Sequence, residues 1–152
     1  MRKEKEIAID GTKFKVVQLG FEDGIDLITM LYKSIGPSIG AMLSGLDKKS
    51  GEDLGSANIS MDAISNALGE LAKRLSAADL KHVVYTLAKT TRIEREPGKW
   101  PTLEPEVDLA GDYGLMFKWL AFSLEVNYGS FLGGASLAKA VGLAQTLGKG
   151  QV

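Results

Sequence analysis

The stretch that decides the fold is residues 111–131, GDYGLMFKWLAFSLEVNYGSF, which holds six of the eleven aromatic residues of the chain. On a helix that turns about 100° per residue, its apolar side chains cover more than one face. One face is formed by Leu115, Trp119, Phe122 and Val126, and it is flanked by Phe117, Leu120, Leu124 and Tyr128. Two interpretations stay open: a central helix that the rest of the fold surrounds, or a helix that keeps part of its surface for a partner protein.

The N-terminal part of the chain, residues 5–17, predicts a β-hairpin. Apolar and polar residues alternate on both sides of Asp10-Gly11, and the apolar ones are Ile7, Ile9, Phe14 and Val16. Asp-Gly provides the positive φ values that a two-residue type I′ turn requires. An isolated hairpin is only marginally stable in water, so we expect its apolar face to lie on helices.

Helical spacing follows the hairpin. Apolar residues recur at intervals of three and four through residues 22–44, with a break or kink after Gly36-Pro37, and again through residues 61–75. A further short helix is predicted after Ser76, whose hydroxyl is placed to cap its first turn. The small-residue segment 135–147 predicts a final helix.

Two other segments lack helical spacing. Residues 44–60 are rich in Gly, Ser, Asp and Lys and predict a mobile loop. Residues 92–110 contain three of the four prolines and predict an extended connection. The expected fold is therefore mainly α with a small β component (α+β), in which the hairpin packs on a bundle of four to five helices. We expect one domain over residues 1–152 with a loose tail at 148–152, because composition is uniform along the chain.

Composition argues against several classes of function. The net charge is −1 and the charged residues are interspersed, so nucleic acid and anionic membranes are not expected partners. No segment approaches the roughly 18 apolar residues that span a bilayer, and no signal-peptide core follows the basic N-terminus. The chain has no cysteine, which excludes disulfides and thiolate metal sites. We therefore expect a cytoplasmic protein.

An enzymatic function is not predicted. The single histidine, His82, has no cysteine or second histidine with which to share a metal. The glycine-rich segments 133–136 and 148–150 lack the spacing of a phosphate-binding loop. We expect no catalytic residue, no cofactor and no metal, although one sequence leaves a Ser-His-Asp arrangement through His82 open. A small hydrolase or transferase would need a polar pocket, which these residues do not assemble.

The helix 111–131 resembles a motif of the small tail assembly chaperones of tailed bacteriophages. The motif is Ala-Gly-x-Tyr-Gly followed by Phe-x-Trp/Phe-Leu-x-Phe-x-Leu-Glu-Val-Asn-Tyr/Phe-Gly-x-Phe-Phe. The matching residues are Ala110, Gly111, Tyr113, Gly114, Phe117, Trp119, Leu120, Phe122, Leu124, Glu125, Val126, Asn127, Tyr128, Gly129 and Phe131. The chain departs from the motif at Leu132, where a second aromatic residue is common. Weaker similarity extends through residues 78–80, 90–91 and 98–100 and through Gly36-Pro37.

The resemblance implies a protein of the infected cell's cytoplasm that binds the long tape measure protein. It would keep that protein soluble while tail tube subunits polymerise around it, and then leave. The tail tube protein and a second copy of the chain stay open as further partners. The alternative is a structural tail or baseplate subunit that is retained in the virion.

The aromatic helix provides the expected partner surface, because a groove of large apolar side chains accepts an amphipathic helix. The candidate partner-binding residues are Phe117, Trp119, Phe122, Val126, Tyr128 and Phe131. Among them, Phe117 and Tyr128 are the candidates for a role in the interface alone, with little contribution to stability.

Overall fold

The computed structural model describes residues 2–36, 66, 69–71 and 73–132. Its elements are β1 (Glu4–Ile9), β2 (Thr12–Val17), α1 (Phe21–Ile35), α2 (Ala77–Ala88), β3 (Thr91–Ile93), a π-helical turn (Pro105–Leu109) and α3 (Tyr113–Leu132). Residues 69–71 and 73–74 are also helical. The predicted class, mainly helical with a small antiparallel sheet, is confirmed.

Three predicted segments cannot be compared with the structure. The predicted loop at 44–60, the final helix at 135–147 and the tail at 148–152 lie outside the described residues. The bundle of four to five helices and the single domain therefore stay predictions.

The hairpin forms as predicted. Asp10 and Gly11 have φ values of 50° and 83°, the left-handed conformation of a type I′ turn, and Gly11 adopts it without a Cβ penalty. In the antiparallel register Ile7 lies opposite Phe14 and Ile9 opposite Thr12. The four predicted inward residues of the hairpin are all buried.

A third strand, β3, adds to the predicted hairpin and lies far from it in the sequence. β3 pairs antiparallel with β2, so that Phe14 lies opposite Ile93 and Val16 opposite Thr91. One buried row therefore crosses the three strands, formed by Ile7, Phe14 and Ile93. A three-residue strand has too little alternation to be recognised locally, because its stability comes from the distant strand that it pairs with.

Helix α1 ends where the sequence predicts a break. Gly36 has a φ of 71°, and its amide donates to the Tyr32 carbonyl at 2.8 Å. Its ψ is −157°, and this combination of φ and ψ is open essentially only to glycine, so the helix ends here. The helix buries Leu27, Leu31 and Ile35.

Helix α2 also matches its prediction. The Ser76 hydroxyl accepts a hydrogen bond from the Asp79 amide at 3.1 Å and so caps the first turn. Val83, Val84 and Leu87 point inward and are buried. The described part of α2 contacts α1, α3, β3 and the π-helical turn.

The predicted extended connection over residues 92–110 is wrong. The chain folds back on itself, with isolated bridges between Arg92 and Thr102 and between Glu96 and Lys99, before the π-helical turn begins. The prolines do not prevent this, because Pro105 occupies the first turn of the helical segment, where its missing N–H is not needed.

Helix α3 lies against β1 and β2 and also contacts α2 and the π-helical turn. The described side chains from Leu115 to Val126 are buried around the whole helix, apart from the half-buried Met116, Lys118 and Glu125. A helix that is apolar on all sides is characteristic of a protein interior. Its burial supports the interpretation of a central helix.

Candidate protein-binding site

Most of the predicted partner-binding residues lie inside the protein. Four of the six are at most 5% exposed, namely Phe117, Trp119, Phe122 and Val126. Tyr128 is half-buried, and the side chain of Phe131 lies outside the described part. The expectation that Phe117 adds little to stability is wrong, because this side chain belongs to the core. Partner binding by the six residues stays a prediction.

The second half of the motif joins α3 to the start of α1 and to the segment between β2 and α1. The Asn127 carboxamide oxygen accepts a hydrogen bond from the Leu19 amide at 2.8 Å, and the Gln18 side chain donates to the Val126 carbonyl at 2.8 Å. The Tyr128 hydroxyl donates to the Gly24 carbonyl at 2.8 Å. Burial raises the pKa of Tyr128 to about 12, so the phenol stays protonated as a donor. These residues therefore position the helix.

The first half of the motif leads to an open groove. Asp112 caps α3 by accepting a hydrogen bond from the Leu115 amide at 3.1 Å, which places Tyr113 at the start of the helix with 68% of its surface exposed. The groove has a volume of about 420 Å³ and lies between α2 and the segment from Pro105 to Met116. Its large apolar and aromatic lining residues are Leu80, Val84, Tyr85, Leu109, Tyr113 and Met116.

Two tyrosines stand at the edges of this groove. Tyr85, on α2, is 44% exposed, and its hydroxyl donates to a Glu106 carboxylate oxygen at 3.1 Å. The hydrogen bond to this carboxylate raises the pKa of Tyr85, so the phenol remains a donor at neutral pH. Exposed tyrosines combine a large apolar ring with a polar tip, which is why they are frequent at protein interfaces.

The π-helical turn that forms one wall is fixed by an ion pair. Arg95 donates from Nε and one terminal nitrogen to the two oxygens of Asp108, both at 2.8 Å, and the Glu104 amide donates to the same carboxylate at 2.7 Å. Burial alone would raise the pKa of Asp108, but the hydrogen bonds from Arg95 and the Glu104 amide outweigh it and lower that pKa.

We expect Asp108→Asn to remove part of the acid dependence of stability. A carboxylate with a lowered folded-state pKa contributes stability above its unfolded-state pKa and loses it as pH falls through the folded-state value. Urea unfolding over a pH series should therefore show a smaller loss of stability in Asp108→Asn than in the wild type as the pH falls below about 4, the ordinary pKa of an aspartate. Arg95→Gln should also reduce the loss of stability in acid, because it removes the cation that lowers the pKa of Asp108. If the stability of either variant fell with pH in parallel with the wild type, the role given to the Arg95–Asp108 ion pair would be contradicted.

Residues for other chemistry are not assembled in the described part of the chain. His82 lies on the exposed side of α2, and no cluster of three or more potential metal-ligating His, Asp or Glu side chains occurs among the described residues. None of the described helices combines the length and hydropathy needed to cross a membrane.

Comparison with known protein families identifies the chain. The family model for the phage tail assembly chaperone protein, TAC, matches residues 10–138. The chain belongs to this family. No curated protein and no solved structure matches it.

Every lining residue of the groove lies within the part of the chain that matches the tail assembly chaperone family. Sequence reasoning noted Tyr113 only as a motif position and missed Tyr85 as part of a site. One signal was present: Tyr113 lies four residues before Phe117 on the same helical face, so the aromatic stripe of α3 begins at Tyr113. The periodicity did not indicate that this end of the stripe is open.

Proposed function

We propose that this tail assembly chaperone binds the tape measure protein in the host cytoplasm and keeps it soluble during tail tube assembly. It acts by binding and catalyses no reaction, and it is not retained in the virion. The observation that supports this most directly is the groove between α2 and the start of α3, because it presents apolar and aromatic side chains to solvent within the family-matched region.

The size of the groove is consistent with reversible binding. A volume of about 420 Å³ holds only a few side chains. Burying one large apolar side chain contributes about 1.5–3 kcal/mol, and association must first offset lost translational and rotational freedom. A contact of this size is weaker than the large apolar interface of a permanent subunit, so the chaperone can leave when tube subunits cover the tape measure.

Co-expression tests this proposal. The tape measure protein of the same phage should be largely insoluble when expressed alone and largely soluble when expressed with the chaperone, and the two should copurify. An unrelated soluble protein of similar size, expressed at the same level, is the control. Equal solubility of the tape measure with the chaperone and with the control would contradict tape measure binding.

Retention is tested on purified phage particles. Quantitative mass spectrometry should find the tail tube and tape measure proteins and should not find the chaperone in stoichiometric amounts. A constant number of chaperone copies per particle would contradict release and would support the alternative of a structural tail or baseplate subunit.

A further inference from the structure

The charges on the two walls of the groove differ. Residues 104–112, EPEVDLAGD, contain four acidic residues and no basic residue. Arg95 neutralises Asp108 and lies 3.8 Å from Glu104, which leaves an excess of negative charge on this wall. Glu106 and Asp112 are exposed. The opposite wall is formed by α2, and the charged side chain that α2 contributes to the lining is the basic Lys81.

The backbone of the walls restricts the conformation of an occupant. Both walls are built mainly from α2, the π-helical turn and α3, whose backbone groups are largely used within helical segments. An extended peptide would find few backbone partners here, and unpaired buried backbone groups are costly. A helix satisfies its own backbone and presents apolar side chains at intervals of three and four, which suits an apolar groove.

We infer that the groove binds an amphipathic helix of a partner protein, whose apolar stripe is flanked by basic side chains on the edge that faces Glu106 and the acidic residues next to it in the chain. Electrostatic complementarity of this kind orients a partner and raises its association rate. The Tyr85 and Tyr113 rings enclose the apolar stripe from the two sides. The inference rests on the proposed function only in taking the tape measure protein as the source of this helix.

Helix α1 of a second copy of the chain is a poor occupant. Helix α1 carries two exposed apolar side chains, Phe21 (83%) and Ile25 (49%). Among the described helices outside the groove, α1 could therefore offer an apolar stripe to the groove of another copy. That stripe is accompanied by Glu22, Asp23 and Asp26. Like charges across an interface are unfavourable, so the acidic wall repels α1 of another copy.

Two synthetic helices of about 20 residues, about 30 Å long, test the charge requirement. They share one leucine stripe and carry either lysine or glutamate at the flanking positions, and fluorescence anisotropy measures their binding to the full chain. We expect the lysine-flanked helix to bind about tenfold more tightly, from two or three exposed ion pairs, with an advantage that shrinks as salt increases. Equal affinities would overturn the inference.

Variants place the interaction in the groove. Glu106→Lys should remove most of the preference for lysine, whereas Glu106→Gln, which keeps an acceptor for Tyr85, should reduce it less. Glu4→Lys changes charge equally at an exposed position on β1 and is the matched control. Circular dichroism and melting temperature should be unchanged in all three. An equal effect of Glu4→Lys and Glu106→Lys would overturn the inference.

Overlapping peptides that cover the tape measure protein separate the two proposals. A tape measure peptide that binds and is displaced by the lysine-flanked helix supports both. If the two synthetic helices discriminate as expected but no tape measure peptide binds, the groove chemistry stands and the proposed partner is wrong. If tape measure peptides bind while the two synthetic helices bind with equal affinity, the groove inference is overturned and the proposed function stands.

Discussion

Trp119→Ala lowers the free energy of unfolding by about 3–5 kcal/mol, the range for truncating a large buried aromatic side chain. Trp119 is the largest of the fully buried side chains. Its indole nitrogen donates to the Thr91 hydroxyl at 3.3 Å, and that hydroxyl donates to the Leu87 carbonyl at 2.9 Å. The substitution therefore leaves a cavity and removes a link between α3, β3 and the end of α2.

Chemical denaturation followed by circular dichroism measures this loss. Trp100→Ala is the matched control, because Trp100 is half-buried and interacts with the Lys15 ammonium, 4.1 Å from the ring centroid. A partly exposed cation–π pair contributes about 0.5–1 kcal/mol. Trp119→Phe keeps most of the volume and should lose less than Trp119→Ala. Equal losses for Trp119→Ala and Trp100→Ala would contradict a central role for α3.

Local signals in the sequence were sufficient for the turns and helix ends. Asp10-Gly11 sets the hairpin turn, Ser76 caps α2, and Gly36 ends α1, because each of these residues acts on its own neighbours in the chain. The pairing of β3 with β2, by contrast, depends on residues that are distant in the sequence. It joins Ile93 to Phe14, and no local pattern encodes that choice.

The candidate site could be predicted only in part, for a related reason. Tyr113 and Phe117 lie on the same face of α3, yet they are 68% and 3% exposed. Periodicity gives the face of a helix on which a residue lies, and tertiary contacts decide whether another element covers that position. The groove also needs Tyr85 and Leu80 from α2, whose proximity to Tyr113 follows from the packing of α2 against α3.

The motif identified the family although most of its large residues are core. Trp119, Phe122 and Val126 pack the interior, and Asn127 binds the segment before α1. A motif of this kind specifies how α3 is held by the rest of the fold, and therefore also where the groove lies at its N-terminal end. This explains why the resemblance indicated the right family while the residues first assigned to partner binding are mainly buried.

Tyr113→Ala should weaken binding of the tape measure protein at least about 30-fold, which corresponds to the roughly 2 kcal/mol of an interface hot spot. Tyr113 is an exposed aromatic residue at the edge of the groove, and a partner that fills the groove buries its ring. Because the ring is largely outside the core, the free energy of unfolding should change by no more than about 0.5 kcal/mol. Titration of the purified partner and chemical denaturation give both values for the same variant.

Phe21→Ala is the matched control for this prediction, because Phe21 is an even more exposed aromatic residue, on α1, and does not line the groove. It should leave both affinity and stability close to the wild type. A loss of affinity in Phe21→Ala with none in Tyr113→Ala would move the partner surface from the groove to α1. If Tyr113→Ala lost stability in proportion to affinity, the Tyr113 ring would be part of the core. The groove would then lack its main contact with a partner, because its other apolar lining residues are less exposed than Tyr113.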